Sequence, residues 1–153
     1  LREHGLTQMI VSDPLSIGYL TGVWIEPYER LFAFYIRIDG KHIFFLNNLF
    51  VIPDIDVTKV WMSDTDDCIG IVASHVDAGS DMGIDKSWPA RFLLDLMERN
   101  PGVRYVNSSA CVDRVRSIKD EYEKEINHNI TGSFHGSICI NGLWKLFRKF
   151  RKR

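Results

Sequence analysis

Residues 31–38 read Leu-Phe-Ala-Phe-Tyr-Ile-Arg-Ile and residues 42–46 read His-Ile-Phe-Phe-Leu, with Asp39-Gly40 between them. Aromatic and β-branched residues suit a pleated, packed surface, and an Asp-Gly pair supplies the backbone angles of a tight reversal. The two runs are therefore expected to form an antiparallel pair. Upstream, residues 8–12 (Gln-Met-Ile-Val-Ser) read as a strand ended by Asp13-Pro14, because Pro lacks a ladder N–H and restricts the residue before it. Residues 14–20 suit a short helix with Asp13 as N-cap, Pro14 at the first helical position and Gly22 closing it.

Downstream, residues 58–62 (Thr-Lys-Val-Trp-Met) form the next strand. Asp64 is placed to cap a helix over residues 65–76, where Ile69, Val72, Ala73 and Val76 recur at helical spacing. A strand over 81–84 follows. A second amphipathic helix over 90–99 should bury Phe92, Leu93, Leu96 and Met97, and Asn100-Pro101-Gly102 stops it. Residues 103–106 make another strand, and a short helix over 110–114 carries Val112 and Val115 on its inner side. Strand and helix alternate in the second half while a hairpin sits in the first. The pattern specifies an α/β fold with a mixed sheet and helices on both faces.

Composition narrows the function classes. The 153 residues are 45% hydrophobic, 25% charged and 12% aromatic, a balance that suits one globular core. Lys and Arg number 19 against 20 Asp and Glu, a net charge of −1, so no chain-wide electrostatic footprint for nucleic acid or an anionic membrane exists. No apolar run reaches the ~18 to 20 residues of a spanning helix, and residues 1–4 lack a signal pattern. A soluble, cytoplasmic chain is expected. Cys68, Cys111 and Cys139 form no C-x-x-C pair and are expected to be reduced thiols in or near the core. The first residue is Leu1, not Met, and the chain is read as a fragment.

Residues 127–153 differ from the rest. They contain no Asp or Glu, and Lys145, Arg148, Lys149, Arg151, Lys152 and Arg153 contribute six positive charges, leaving −1 − 6 = −7 for residues 1–126. Ile140, Leu143, Trp144, Phe147 and Phe150 follow an amphipathic helical spacing. Two regions are expected: a domain over 1–126, and a basic amphipathic tail over 127–153 that suits a linker helix.

Four pieces occur in a fixed order: Tyr19-Leu20-Thr21-Gly22, Glu29-Arg30 before a hydrophobic strand, Gly83-Ile84-Asp85, and the run Val112-Asp113-Arg114-Val115-Arg116-Ser117-Ile118-Lys119-Asp120. Together they resemble the N-terminal domain of the creatinase, prolidase and Xaa-Pro aminopeptidase family. The resemblance implies a three-layer α/β/α domain with a ribonuclease H-like motif. In that family the domain precedes a larger catalytic one. There, two divalent metals (manganese, cobalt or zinc) are held by two Asp, one His and two Glu around a bridging hydroxide, although creatinase works without metals. The resemblance thus implies no cofactor in this chain, a catalytic domain beyond it, a homodimer, and no nucleic-acid or membrane partner. The chain alone should catalyse nothing. A stand-alone protein-interaction module of the same fold is the alternative.

The candidate residues follow from the same reading. The loop Val23-Trp24-Ile25-Glu26-Pro27-Tyr28-Glu29-Arg30 carries aromatics, a Pro and an Arg outside any periodic element, where recognition residues concentrate. In the family such a loop approaches a neighbouring subunit's active site, so Trp24, Tyr28 and Arg30 are the expected contacts, with Arg30 able to fork onto a substrate carboxylate. Tyr19, Gly22, Arg116 and Lys119 are the expected structural or interdomain anchors. Arg116 with Asp120, and Lys119 with Glu123, also have the spacing of helical ion pairs. Asp64, Asp66 and Asp67 lack the pattern of a calcium loop and read as acidic residues at a helix N-terminus. No catalytic and no metal-ligating residue is expected.

Overall fold

The computed structural model describes residues 1–118 of the chain. A 3-10 turn, Arg2–His4, leads into β1 (Gln8–Val11), α1 (Pro14–Thr21), β2 (Ala33–Arg37), β3 (Ile43–Asn47), β4 (Thr58–Met62), α2 (Cys68–His75), β5 (Met82–Ile84), α3 (Ala90–Arg99), β6 (Tyr105–Asn107) and α4 (Ser109–Ser117). The six strands form one sheet in the order β4-β3-β2-β1-β5-β6. β2 runs antiparallel to both β1 and β3, whereas the β1–β5, β5–β6 and β3–β4 pairs are parallel. The sheet is mixed.

The hairpin turns where Asp39-Gly40 places it. Gly40 takes φ 81, and β2 meets β3 in the register Ala33↔Phe45, Phe34↔Phe44, Tyr35↔Ile43. Successive strand side chains point to opposite faces, so these apolar runs feed two cores at once. Ile10, Ala33, Tyr35, Phe45 and Met82 pack with Ile69 and Val72 of α2 and with Phe92 and Leu96 of α3. On the opposite face Met9, Val11, Phe34, Phe44 and Leu46 pack with Ile17 of α1 and Val112 of α4. This is the three-layer α/β/α arrangement. The parallel β3 and β4 are joined without a helix: Phe50, Ile52, Ile55 and Val57 of the connection cover the second face themselves.

Helix α1 begins and ends as its local chemistry dictates. The Asp13 carboxylate accepts from the Ser16 N–H at 2.9 Å, Pro14 opens the first turn, and Gly22 closes the helix at φ 75 while donating to the Gly18 carbonyl.

Four expectations needed correction. Helix α2 starts at Cys68, not near residue 65, and its cap is Asp67, which accepts from the Gly70 N–H at 3.1 Å; Asp64 is drawn to other partners instead. Met97 is 43% exposed, since a 10-residue helix lying on a sheet buries the narrow Phe92–Leu96 stripe and Met97 lies about 100° further round. Val115 is 48% exposed, about 60° round α4 from the buried Val112. Strand β6 also starts later than expected, at Tyr105, because residues 101–103 are occupied by a turn. Lys119, the ion pairs to Asp120 and Glu123, Cys139 and the basic tail lie outside the described residues.

Candidate functional site

Two places gather the sequence motifs. The first lies where β1 and β5 end side by side, α1 begins and α4 passes. Asp85 directly follows β5 and is buried. Its carboxylate accepts from the Ser12 N–H at 2.9 Å, the Ser12 Oγ at 2.9 Å and the Asp13 N–H at 2.8 Å. Asp13, held this way, caps α1 and also accepts from Ser16 Oγ at 2.6 Å. Arg116 of α4 donates to Ser16 Oγ at 3.2 Å and lies 3.6 Å from the Asp13 carboxylate. Tyr19 OH donates to the Val115 carbonyl at 3.4 Å, and Lys86 pairs with Asp113 at 2.6 Å. Gly83 lets the strands close up: a Cβ there would stand 2.7 Å from Ser108 Oγ and 2.9 Å from Met9 Cβ.

Tyr19, Gly83, Asp85 and Arg116, scattered over nearly a hundred positions, therefore secure α4, the helix that leads toward residue 118. The carboxylates here already serve backbone donors or cations. The arrangement positions an element.

The second place is the loop over residues 23–31. Val23 is fully buried and Leu31 is buried, so both ends of the loop are fixed in the two cores. The Trp24 indole lies over α1: a Cβ on Gly18 would come within 2.0 Å of its ring. Tyr28 is 78% exposed and adopts φ 52. The Arg30 Nε donates to Asp64 Oδ1 at 3.0 Å and its Nη2 to Asp64 Oδ2 at 3.0 Å, a forked pair. Glu29 also lies 3.3 Å from the Arg30 guanidinium. Asn47, at the end of β3, donates to Asp64 at 2.7 Å. Arg91 stacks over the Phe92 ring at 4.4 Å and donates to the Glu29 carbonyl.

Glu29, Arg30, Asn47, Asp64, Arg91 and Phe92, with Cys68 and Asp95, border an open cleft of about 560 Å³ at the carboxyl ends of β3 and β4. The hydrogen bond to Asp64 raises the affinity of the Arg30 guanidinium for its proton. Reciprocally, Arg30 and then Asn47 hold the Asp64 carboxyl below the usual carboxylate range. Asp66 is lowered by the Ser63 N–H, and Asp67 by the Gly70 N–H and then Arg99. Burial pushes the Cys68 thiol up, so it stays protonated at neutral pH.

The three acidic residues thus face different partners and do not converge on one point. Among the described residues, no group of three or more His, Cys, Asp or Glu side chains is arranged to hold a metal ion. The described residues do not fit a two-metal centre. Cys68 and Cys111 are free, half-buried thiols. Among the described residues, no helix is long and apolar enough to cross a membrane.

Sequence reasoning singled out Trp24, Tyr28 and Arg30, read Asp64 as a helix cap and did not single out Asn47 or Arg91; Asp64, Asn47 and Arg91 together hold the loop that carries Arg30. No local spacing signals these, because Asp64 stands 34 positions from Arg30 and Arg91 stands 62 from Glu29.

The model of the creatinase/prolidase N-terminal domain matches residues 1–118. The chain belongs to that family. Its fold is similar to that of a proline dipeptidase from Streptococcus pneumoniae, at 20% identity and TM-score 0.68, covering 78% of this chain and 93% of that one. It is also similar to dipeptidase PepE from Mycobacterium ulcerans, at 24% identity and TM-score 0.70, covering 81% of this chain but 35% of that one. An uncharacterized peptidase of Staphylococcus aureus strain USA300 is 40% identical over 50 residues, 33% of this chain and 12% of that protein. The match spans about one-eighth of the length of such curated relatives.

Proposed function

We propose that the chain is a non-catalytic N-terminal domain of an Xaa-Pro dipeptidase- or aminopeptidase-like metallohydrolase of the cytoplasm, serving subunit association and control of substrate access. The family match across residues 1–118 carries this reading. Two features of the geometry support it. The motif residues tie down α4, which would transmit the domain's position to a catalytic domain following it. The loop with Trp24, Tyr28 and Arg30 projects from a rigid sheet, as a wall beside a neighbouring subunit's pocket must.

In this reading the divalent metals and their ligands belong to the catalytic domain. Selection by the wall is steric: a short peptide fits beneath it and a long one collides with it. An Xaa-Pro bond has no N–H at the scissile nitrogen, so the substrate is recognised by ring shape and free termini.

The test assays the purified, dialysed chain on an Xaa-Pro dipeptide with manganese, cobalt or zinc added, alongside sedimentation equilibrium. No turnover and a homodimer are expected. Turnover by this chain alone, or manganese retained in stoichiometric amount, would overturn the non-catalytic role. A strict monomer would overturn the association role in favour of a different kind of interaction module.

A further inference from the structure

Strand β4 lies at one edge of the sheet beside β3, and among the described residues no strand pairs with its other side. The Met62 carbonyl accepts from the Asn48 N–H at 2.8 Å, so Met62 turns its backbone groups toward the β3 side. In a parallel ladder alternate residues face the same neighbour. Val60 and Thr58 therefore follow Met62, and Lys59 and Trp61 direct their N–H and C=O groups outward. The strand carrying this row, Thr58–Met62, keeps an unbroken register with β3 and contains neither Pro nor Gly.

Edges are commonly guarded by a projecting lysine. Lys59 does not serve that way. Its Nζ donates to the Ile55 carbonyl at 2.6 Å and lies 3.4 Å from Asp54, which folds the side chain back and leaves it 23% exposed. Trp61, by contrast, is 43% exposed, and Leu49 and Val51 of the connection between β3 and β4 are exposed too. The register Phe44↔Lys59 and Leu46↔Trp61 puts Lys59 and Trp61 on the Phe44 and Leu46 face of the sheet, with Val60 on the other.

Resting on the association role proposed above, we infer that β4 joins two copies of this chain, strand to antiparallel strand, about a two-fold axis through Val60. The register that uses all of β4 sets Lys59 opposite the partner's Trp61, and Trp61 opposite the partner's Lys59. Their outward backbone groups then exchange both hydrogen bonds of each pair. On one face a lysine stem and its charge cross an indole, a favourable cross-strand opposition; on the other a β-branched side chain meets its own twin. The edge is thus complementary to itself in backbone and side chains, as an isologous contact requires. A strand of another sequence would find the row of backbone bonds without these oppositions.

The test uses the 153-residue chain, with sedimentation equilibrium over a concentration series and amide exchange on the same samples. A homodimer is expected, in which the Lys59 and Trp61 amides exchange at least about tenfold more slowly than in the diluted monomer. Trp61→Lys sets like charges opposite each other and should raise the dimer Kd at least about tenfold, while the Tm of the monomer stays level. With Cys68, Cys111 and Cys139 replaced by Ser, Val60→Cys should give a disulfide-linked dimer under mild oxidation, because facing residues of a non-hydrogen-bonded pair stand about 4.5 Å apart at Cα. Thr58→Cys in the same background should not, since the register separates it from its twin by about 13 Å along the strands.

A dimer whose Kd is unchanged by Trp61→Lys, or that gives no cross-link at Val60→Cys, overturns the edge contact while the association role stands. A strict monomer overturns both. Slow exchange of the two amides that is indifferent to dilution assigns the edge to another segment of the same chain and overturns the contact.

Discussion

Gly18, on the buried side of α1, lies directly beneath the indole of Trp24, leaving no room for a methyl group between helix and ring. A helix interior normally favours Ala over Gly, yet here the missing side chain admits the ring that begins the projecting loop. The clashing atoms belong to a side chain and not to backbone, so the ring can shift.

Gly18→Ala should therefore displace Trp24 and loosen the loop behind it. The net cost is expected at about 1–2 kcal/mol, the overpacking penalty partly offset by helix propensity. Urea denaturation measures it, and a shift in tryptophan emission should accompany it. A stabilised variant with native emission would show that the ring does not rest on the helix.

Asp85→Ala should be among the most damaging single changes. It leaves the Ser12 N–H, the Ser12 hydroxyl and the Asp13 N–H without their common acceptor, and two of them belong to the turn that starts α1. A loss of about 2–4 kcal/mol is expected from stranded buried donors. Asp85→Asn keeps one acceptor oxygen and should lose less. Equilibrium unfolding of the two variants against wild type checks the order.

Acid should weaken the loop anchor before it unfolds the sheet. Asp64 is held below the usual carboxylate range by Arg30 and then by Asn47. A carboxyl group whose folded value is depressed adds stability above its unfolded value, near pH 4, and loses it as pH falls through the lower folded value. Asp64→Asn should flatten the stability profile below about pH 4 and leave it unchanged in slope above. A profile identical to wild type in that window would mean that the pair adds nothing to folding.

At the alkaline end the relevant group is Tyr35. Burial raises the pKa of its hydroxyl, opposed by a hydrogen bond from Arg37, and that hydroxyl donates to Gln8 Oε1 at 2.5 Å. The sign is opposite to that of Asp64: the contribution is complete below the unfolded tyrosine value, about 10, and is lost as pH rises through the higher folded one. Tyr35→Phe should cost about 1 kcal/mol at neutral pH, because Gln8 Oε1 still accepts from the Asp77 N–H at 2.9 Å. It should also remove the Tyr35 share of the alkaline decline, which pH-dependent denaturation would reveal.

By itself the sequence determined the parts whose causes are local. Asp13-Pro14 and Gly22 start and stop α1 through bonds made within the helix's own turns, and Asp39-Gly40 reverses the chain wherever the hairpin later sits. The apolar runs announced strands buried on both faces, and the ordered motifs announced the family.

Tertiary structure alone decided the strand order, which brings β1 beside β5 across some seventy positions. It also decided that Asp64 would meet Arg30 instead of capping α2, that Asp85 would serve Ser12, and that Met97 and Val115 would face outward. The physical reason is the same in each case. A cap or a turn is chosen by groups a few bonds apart. Such long-range partners are chosen only after the sheet has closed and the loop ends have been fixed, when many distant side chains compete for one carboxylate or one patch of core.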